Sequence, residues 1–68
     1  NNDLLIELCD QTAKTILKDA ADRLSLSARA LFKTLRVSQT IAKLDMASKI
    51  LPEHVLEALQ FRNKQNED

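Results

Sequence analysis

Apolar residues recur every three to four positions along most of this chain of 68 residues. That spacing places them on one face of an α-helix. Three segments carry the pattern, at about residues 10–24, 27–46 and 52–63. Residues 1–9 turn from polar to apolar and fit either a short helix or an extended segment packed on the bundle. We therefore expect an all-α fold, a small bundle of three to four helices with a long central helix.

The first long helix is expected to start at Asp10, whose side chain can cap the backbone N–H groups of the first turn. A turn at 25–27 then leads into the central helix. The apolar face predicted for the first long helix consists of Cys9, Ala13, Ile16, Leu17, Ala20 and Leu24.

The central helix is expected to follow Ser27, a second favourable N-cap residue. One residue every 100° places a basic stripe on one side of it, formed by Arg29, Lys33, Arg36, Thr40 and Lys43. The rest of its surface is mostly apolar or small: Ala28, Leu31, Phe32, Leu35, Val37, Ser38, Ile41, Ala42 and Leu44. Because this part exceeds half the circumference, we expect other elements to cover the helix from several sides, leaving little exposed beyond the stripe.

The last helix should begin at Pro52, because the missing N–H of proline costs nothing at a first helical position. Ile50, in the preceding connection, is expected to enter the core. Both aromatic residues, Phe32 and Phe61, are assigned to the core as well. The predicted inner face of the last helix is Val55, Ala58, Leu59 and Arg62, and the polar tail 63–68 is expected to fray.

Composition narrows the class of protein. The formal net charge is zero, yet six basic residues lie between positions 23 and 49 against one acid, Asp45. A single Cys excludes an internal disulfide and fits a reducing, cytoplasmic compartment. No apolar run reaches membrane-spanning length, so no membrane partner is expected. A chain of this length suits one small domain of modest stability.

Several binding and catalytic motifs are absent from the sequence. Without glycine, the chain has no phosphate-binding loop of the P-loop or dinucleotide type. One Cys and one His, Cys9 and His54, cannot supply a structural zinc site. No second His is available to form a relay with a nucleophilic Ser. We expect no metal site and no enzymatic activity from this chain on its own.

Arg29 is the strongest functional candidate, because it lies in the first turn of the central helix, where backbone N–H groups also attract anions. Lys33 and Arg36 follow on the same stripe and are candidates for phosphate or interface contacts. His54 is expected to be a structural or capping histidine rather than a proton-transfer group. Cys9 is expected to be a small buried hydrophobe rather than a reactive thiol.

Two stretches resemble the C-terminal domain of magnesium-chelatase-like AAA+ ATPases. The first is Leu-Ser-Ala-Arg-Ala at 26–30 followed by Leu-Arg-Val-Ser-Gln-Thr-Ile-Ala-Lys-Leu at 35–44. The second is Ile50 with His-Val at 54–55, Glu-Ala-Leu at 57–59 and Phe-Arg at 61–62. Within the family, the competence-associated (ComM/YifB) branch is the most similar. Gln39 and Lys43 depart from the family pattern, which often has Arg and Asp there, and this indicates a divergent member.

The resemblance implies a helical lid domain at residues 10–62, downstream of an AAA+ core that carries the Walker motifs. It implies that Arg29 is the sensor 2 arginine, which reaches the γ-phosphate of ATP. It further implies ATP and Mg²⁺ as cofactors of the full-length parent but not of this fragment, and a homo-hexameric parent. Members of the competence-associated branch are motors that process DNA, whereas chelatase subunits proper insert magnesium into porphyrin, so the substrate of the parent stays open between DNA, protein and a tetrapyrrole.

Two other functions remain open from the sequence. The loop and helix at 50–59 also look like the end of a histone-fold subunit, which would bind DNA as an obligate dimer. That fold needs a central helix of well over twenty residues, and about nineteen are available. A plain helical interaction domain, whose basic stripe docks an acidic partner, is the third alternative.

Overall fold

The computed structural model describes the backbone of residues 2–65 and the side chains of residues 4–61. Four helices follow one another: α1 (Asn2–Glu7), α2 (Gln11–Arg23), α3 (Ala28–Leu44) and α4 (Pro52–Gln65). No strand occurs among the described residues, which confirms the all-α class. Residues 1–9, which the sequence left open between a short helix and an extended segment, contain the short helix α1. Helix α4 continues into the predicted tail as far as Gln65, while the side chains of 62–68 and the backbone of 66–68 lie outside the described residues.

Both predicted N-caps are confirmed. The Asp10 carboxylate accepts a hydrogen bond from the Thr12 backbone N–H at 3.2 Å, and the Ser27 hydroxyl oxygen accepts one from the Ala30 N–H at 3.1 Å. Each bond satisfies an N–H group that has no partner inside its helix. Pro52 opens α4, also as predicted.

Helices α2 and α3 both end in a Schellman motif. In α3 the N–H groups of Met46 and Ala47 donate to the carbonyls of Lys43 and Ala42, at 3.0 and 2.9 Å. At the end of α2, Leu26 donates to Ala21 in the same way at 3.0 Å. The motif places one residue in the left-handed conformation. Since the chain has no glycine, Ser25 and Met46 occupy these positions, with φ of 52° and 59°.

Helix α4 packs against both α2 and α3, and α1 packs against α3. Small buried residues on α3, Ser38 and Ala42, and Ala58 on α4 allow close approach of the two helices. The buried hydroxyl of Ser38 donates to the Thr34 carbonyl at 2.9 Å, so it is satisfied within its own helix. The buried core cluster consists of Cys9, Ala13, Leu17, Leu35, Ala42, Ile50 and Val55.

Ile50 joins the two halves of the bundle. Its N–H donates to the Leu8 carbonyl and its carbonyl accepts from the Asp10 N–H, both at 2.9 Å. This short parallel bridge pairs Ile50 with Cys9, and both side chains are buried. The prediction that Ile50 enters the core is therefore confirmed.

The prediction that other elements cover α3 everywhere except at its basic stripe is wrong along the side that borders α4. Leu44 is 81% exposed, and Phe61, which was assigned to the core, is 51% exposed. The reason is the position of α4, which meets α3 through Val55 and Ala58; Phe61 lies about 60° around α4 from Ala58 and so falls at the margin of the contact. Leu24, predicted on the apolar face of the first long helix, is also exposed, at 47%. None of the described helices is long and apolar enough to cross a membrane.

Candidate functional site

Arg29 is the second residue of α3, directly after the cap region that fixes the start of this helix. The Ser27 cap on one side and the bond from Leu31 N–H to the Ser27 carbonyl, at 2.9 Å, hold the first turn in place. The half-buried Leu26 anchors the preceding connection through its bond to α2. The position of Arg29 is therefore set by the backbone of the turn.

The guanidinium of Arg29 is exposed and has no hydrogen-bond or ion-pair partner in the part of the chain that the structure describes. The N–H groups of Ala28 and Arg29 come before the first intrahelical bond of α3, so the helix offers them no acceptor. A cation and two outward backbone donors thus lie together at the positive end of the helix dipole. This arrangement suits an oxyanion such as a phosphate.

Lys33 and Arg36 lie on the same exposed side of α3 as Arg29. At a rise of about 1.5 Å per residue, Arg29 and Arg36 are separated by about 10 Å along the helix axis. That length suits an extended anionic partner, or separate contacts, better than one phosphate pocket built from all three side chains. The structure thus places the three predicted site residues on one face of α3 but does not bring their side chains together at a single point.

His54 lies at the junction between α3 and α4 and is 2% exposed. Its Nδ1 accepts a hydrogen bond from the Leu51 backbone N–H at 2.9 Å. Leu51 precedes Pro52 and is the N-cap residue of α4, so His54 fills the role that Glu or Gln takes in a capping box. The prediction of a structural or capping histidine is confirmed.

The other ring nitrogen of His54 faces two carboxylates. Nε2 lies 3.1 Å from Asp45 Oδ2 and 3.7 Å from Glu53 Oε2. A backbone N–H can only donate, so Nδ1 must carry the lone pair and Nε2 the proton of the neutral ring. Nε2 therefore donates to Asp45, the C-cap residue of α3, and one imidazole ties the end of α3 to the start of α4.

The cluster of Asp45, Glu53 and His54 also has the spacing of a metal site, since its three ligand atoms lie within 4.8 Å of one another. The hydrogen bonding argues against that use. The one lone pair of the neutral imidazole is taken by the Leu51 N–H, so Nε2 has none to offer a cation. With both nitrogens engaged, His54 is equally poorly placed for proton transfer.

Cys9 is buried beside the bridge to Ile50, and its Sγ lies 3.6 Å from the Leu5 carbonyl oxygen. Burial raises the pKa of the Cys9 thiol above its ordinary value; the positive charge of Lys14 opposes this rise and Asp10 adds to it. A raised pKa leaves less of the reactive thiolate at neutral pH. The structure thus agrees with the prediction of an inert, buried thiol.

Sequence reasoning missed Asp45 as the partner of His54. The only signal available was its position, because an acid at a helix C-terminus faces the negative end of the dipole and needs a compensating contact. The partly exposed apolar groove between α3 and α4 was missed as well, since the pattern assigned its residues to the interior.

A family model described as magnesium chelatase, subunit ChlI C-terminal, matches residues 3–62 of the chain. The matched region includes all of α2 and α3, together with Arg29, Asp45 and His54. No curated protein and no solved structure matches the chain.

Proposed function

The chain belongs to the family of C-terminal domains of the magnesium chelatase subunit ChlI, and we propose that Arg29 is the residue through which this domain serves ATP hydrolysis. The domain is the helical lid of a magnesium-chelatase-like AAA+ protein. In our proposal the upstream AAA+ core binds ATP with Mg²⁺, and Arg29 acts as the sensor 2 arginine on the γ-phosphate. In this proposal the lid contributes the arginine, and the upstream core contributes the rest of the ATP site.

The observation that supports this role is the unpartnered guanidinium at the start of α3. A residue that only stabilised the lid would be expected to form a hydrogen bond or ion pair with another part of the lid, and Arg29 forms neither with the described residues. Beside it, two backbone N–H groups are directed away from the helix end. An arginine placed against a phosphoryl group stabilises the charge that develops during its transfer.

The parent protein, we further propose, is a homo-hexamer of the competence-associated (ComM/YifB) branch that acts in the cytoplasm and processes DNA. Support for the branch comes from the sequence at 26–44, which resembles that branch most. Support for a DNA-directed motor comes from the same resemblance and from the exposed cations that follow Arg29 along α3.

Replacing Arg29 in the full-length parent tests the proposed role. We expect Arg29→Ala to lower ATP turnover at least about tenfold, because one positioned cation on a transferring phosphoryl group is worth that much or more. Arg36→Ala is the matched control, since Arg36 is an exposed arginine on the same face of the same helix. Wild-type turnover in Arg29→Ala, or an equal loss in both variants, would contradict the role.

The branch is tested with the same parent enzyme. A DNA-processing motor should hydrolyse ATP faster when single- or double-stranded DNA is added, whereas a chelatase subunit should not respond to DNA. An ATPase rate that DNA leaves unchanged would argue against the branch while leaving the Arg29 assignment intact.

The histone-fold alternative is not supported. Helix α3 has 17 residues, fewer than the well over twenty that a histone fold requires. The observed packing, with α4 shared between α2 and α3, closes the bundle within one chain.

A further inference from the structure

An apolar strip runs along the groove between α3 and α4. On α3 it consists of Val37, Ile41 and Leu44, and on α4 of Phe61. Leu44 and Phe61 are 81% and 51% exposed, and Val37 and Ile41 are half-buried. Spacings of four and three residues keep the three α3 positions on one side of their helix.

The two flanks of the apolar strip carry opposite charge. On one side lie Arg36 and Lys43 of α3, both exposed. On the other side Glu53 and Glu57 of α4 line the groove together with Ile41. No salt bridge joins the basic flank to the acidic flank within the described part of the chain. The surface therefore changes from basic to apolar to acidic across its width.

This order of charges makes the surface complementary to itself. Consider a two-fold axis that lies in the plane of this surface and runs parallel to α3. Rotation about it places a second copy face to face with the first. Under that rotation the apolar strip meets the same strip, and each basic flank meets the acidic flank of the other copy. Such a contact is isologous, because the same patch serves both partners. A two-fold axis in the same plane but perpendicular to α3 would instead place each basic flank against the basic flank of the other copy. The charges therefore favour the axis parallel to α3.

We propose that this face is a self-association surface through which two copies of the domain pair about a two-fold axis parallel to α3. The pairing covers Leu44 and Phe61 and brings Lys43 near Glu53, and Arg36 near Glu57, of the other copy. The inference rests on the surface of this chain alone and does not depend on the nucleotide role of Arg29. It describes a paired contact between lids and not the ring contact of a hexamer.

Sedimentation of the 68-residue chain at rising concentration tests the proposal. The strip is only about two helical turns long, so the contact is small and the association weak. We expect the average mass to rise from 7.7 kDa towards twice that value near millimolar concentration. In about 1 M salt, where charges are screened beyond about 3 Å, association should weaken several-fold. A chain that remains monomeric at millimolar concentration overturns the proposal and leaves the strip to a different partner, such as the rest of the parent.

Charge exchange between the flanks tests the geometry. The variant Arg36→Glu/Lys43→Glu carries two acidic flanks, and Glu53→Lys/Glu57→Lys carries two basic ones. Each should be monomeric alone, because its dimer would oppose like charges. An equimolar mixture should again associate, now as a heterodimer, because every acidic flank then meets a basic one. Circular dichroism of each variant verifies that the helices are retained.

Leu44→Ser should abolish association, because it removes the most exposed apolar side chain of the strip. The matched control is Leu56→Ser, at a leucine that is 49% exposed and lies outside the groove. Equal loss in both variants, or a dimer that persists in both charge variants, would place any association elsewhere and overturn the proposal.

Discussion

Single residues of this chain adopt backbone conformations that glycine would adopt at lower cost. Ser25 and Met46 both have positive φ, and each is followed by a residue whose N–H donates back to a carbonyl in the last turn of the helix. A Cβ atom in the left-handed region costs on the order of 1–2 kcal/mol. The chain accepts this cost at two places, because the Schellman motif that ends α2 and α3 requires a residue in the left-handed conformation.

Replacing Met46 with glycine should stabilise the domain. The Met46 side chain is 92% exposed, so little packing is lost. Relief of the left-handed strain outweighs the extra freedom of glycine in the unfolded chain, and we expect a gain of about 0.5–1 kcal/mol in the free energy of unfolding. Urea denaturation measures the change. Met46→Ala is the control, because it keeps the Cβ atom and should give no comparable gain; an equal gain would refer the effect to the methionine side chain instead.

At the scale of elements, the junction between α3 and α4 is held by one side chain. His54 caps α4 through Leu51 and contacts the C-cap of α3 through Asp45, so it spans the whole connection 46–50. An acid at the end of α3 would be unfavourable in isolation. The imidazole N–H gives that carboxylate a partner and fixes the angle at which α4 leaves α3.

Shortening His54 should therefore loosen this junction. We expect His54→Ala to lower the free energy of unfolding by about 3 kcal/mol, through a buried cavity and an unpaired Leu51 N–H. In His54→Asn, the amide oxygen occupies nearly the position of Nδ1 and can still accept from Leu51, so the loss should be smaller. Denaturation curves compare the two variants, and ¹⁵N NMR of the wild-type ring should find the proton on Nε2. Equal losses, or a proton on Nδ1, would refute the capping role.

The helices themselves follow from the sequence, because Asp10, Ser27 and Pro52 are local signals that act within one turn. The groove does not, since the exposure of Leu44 and Phe61 depends on where α4 settles against α3. For the candidate site, the start of α3 at Ser27 places Arg29 correctly from the sequence alone. The pairing of His54 with Asp45 could not be predicted in this way, because it depends on a helix end whose left-handed residue is Met46 rather than glycine.

At the scale of the whole molecule, four short helices act as one unit. The radius of gyration of 10.8 Å is close to the roughly 11 Å expected for a compact chain of this length. The bridge between Cys9 and Ile50 links the connection before α2 to the connection before α4, so these two connections cannot separate without breaking its two backbone hydrogen bonds. Global unfolding should therefore expose Cys9.

Stability should consequently fall at alkaline pH through Cys9. Burial raises the pKa of this thiol in the folded state above its ordinary value of 9.0. The folded protein then holds the proton more tightly than the unfolded chain, so the contribution is intact below about pH 9 and is lost as the pH rises through the folded pKa. Cys9→Ala removes the titration and leaves the other ionisable groups in place. The difference in free energy of unfolding between wild type and Cys9→Ala, from urea denaturation in reducing buffer at pH 7, 9 and 10, should shrink at the highest pH. A difference that is constant across this range would show that unfolding does not change the environment of the thiol. It would contradict the expectation that the bridge between Cys9 and Ile50 opens, and exposes Cys9, when the domain unfolds.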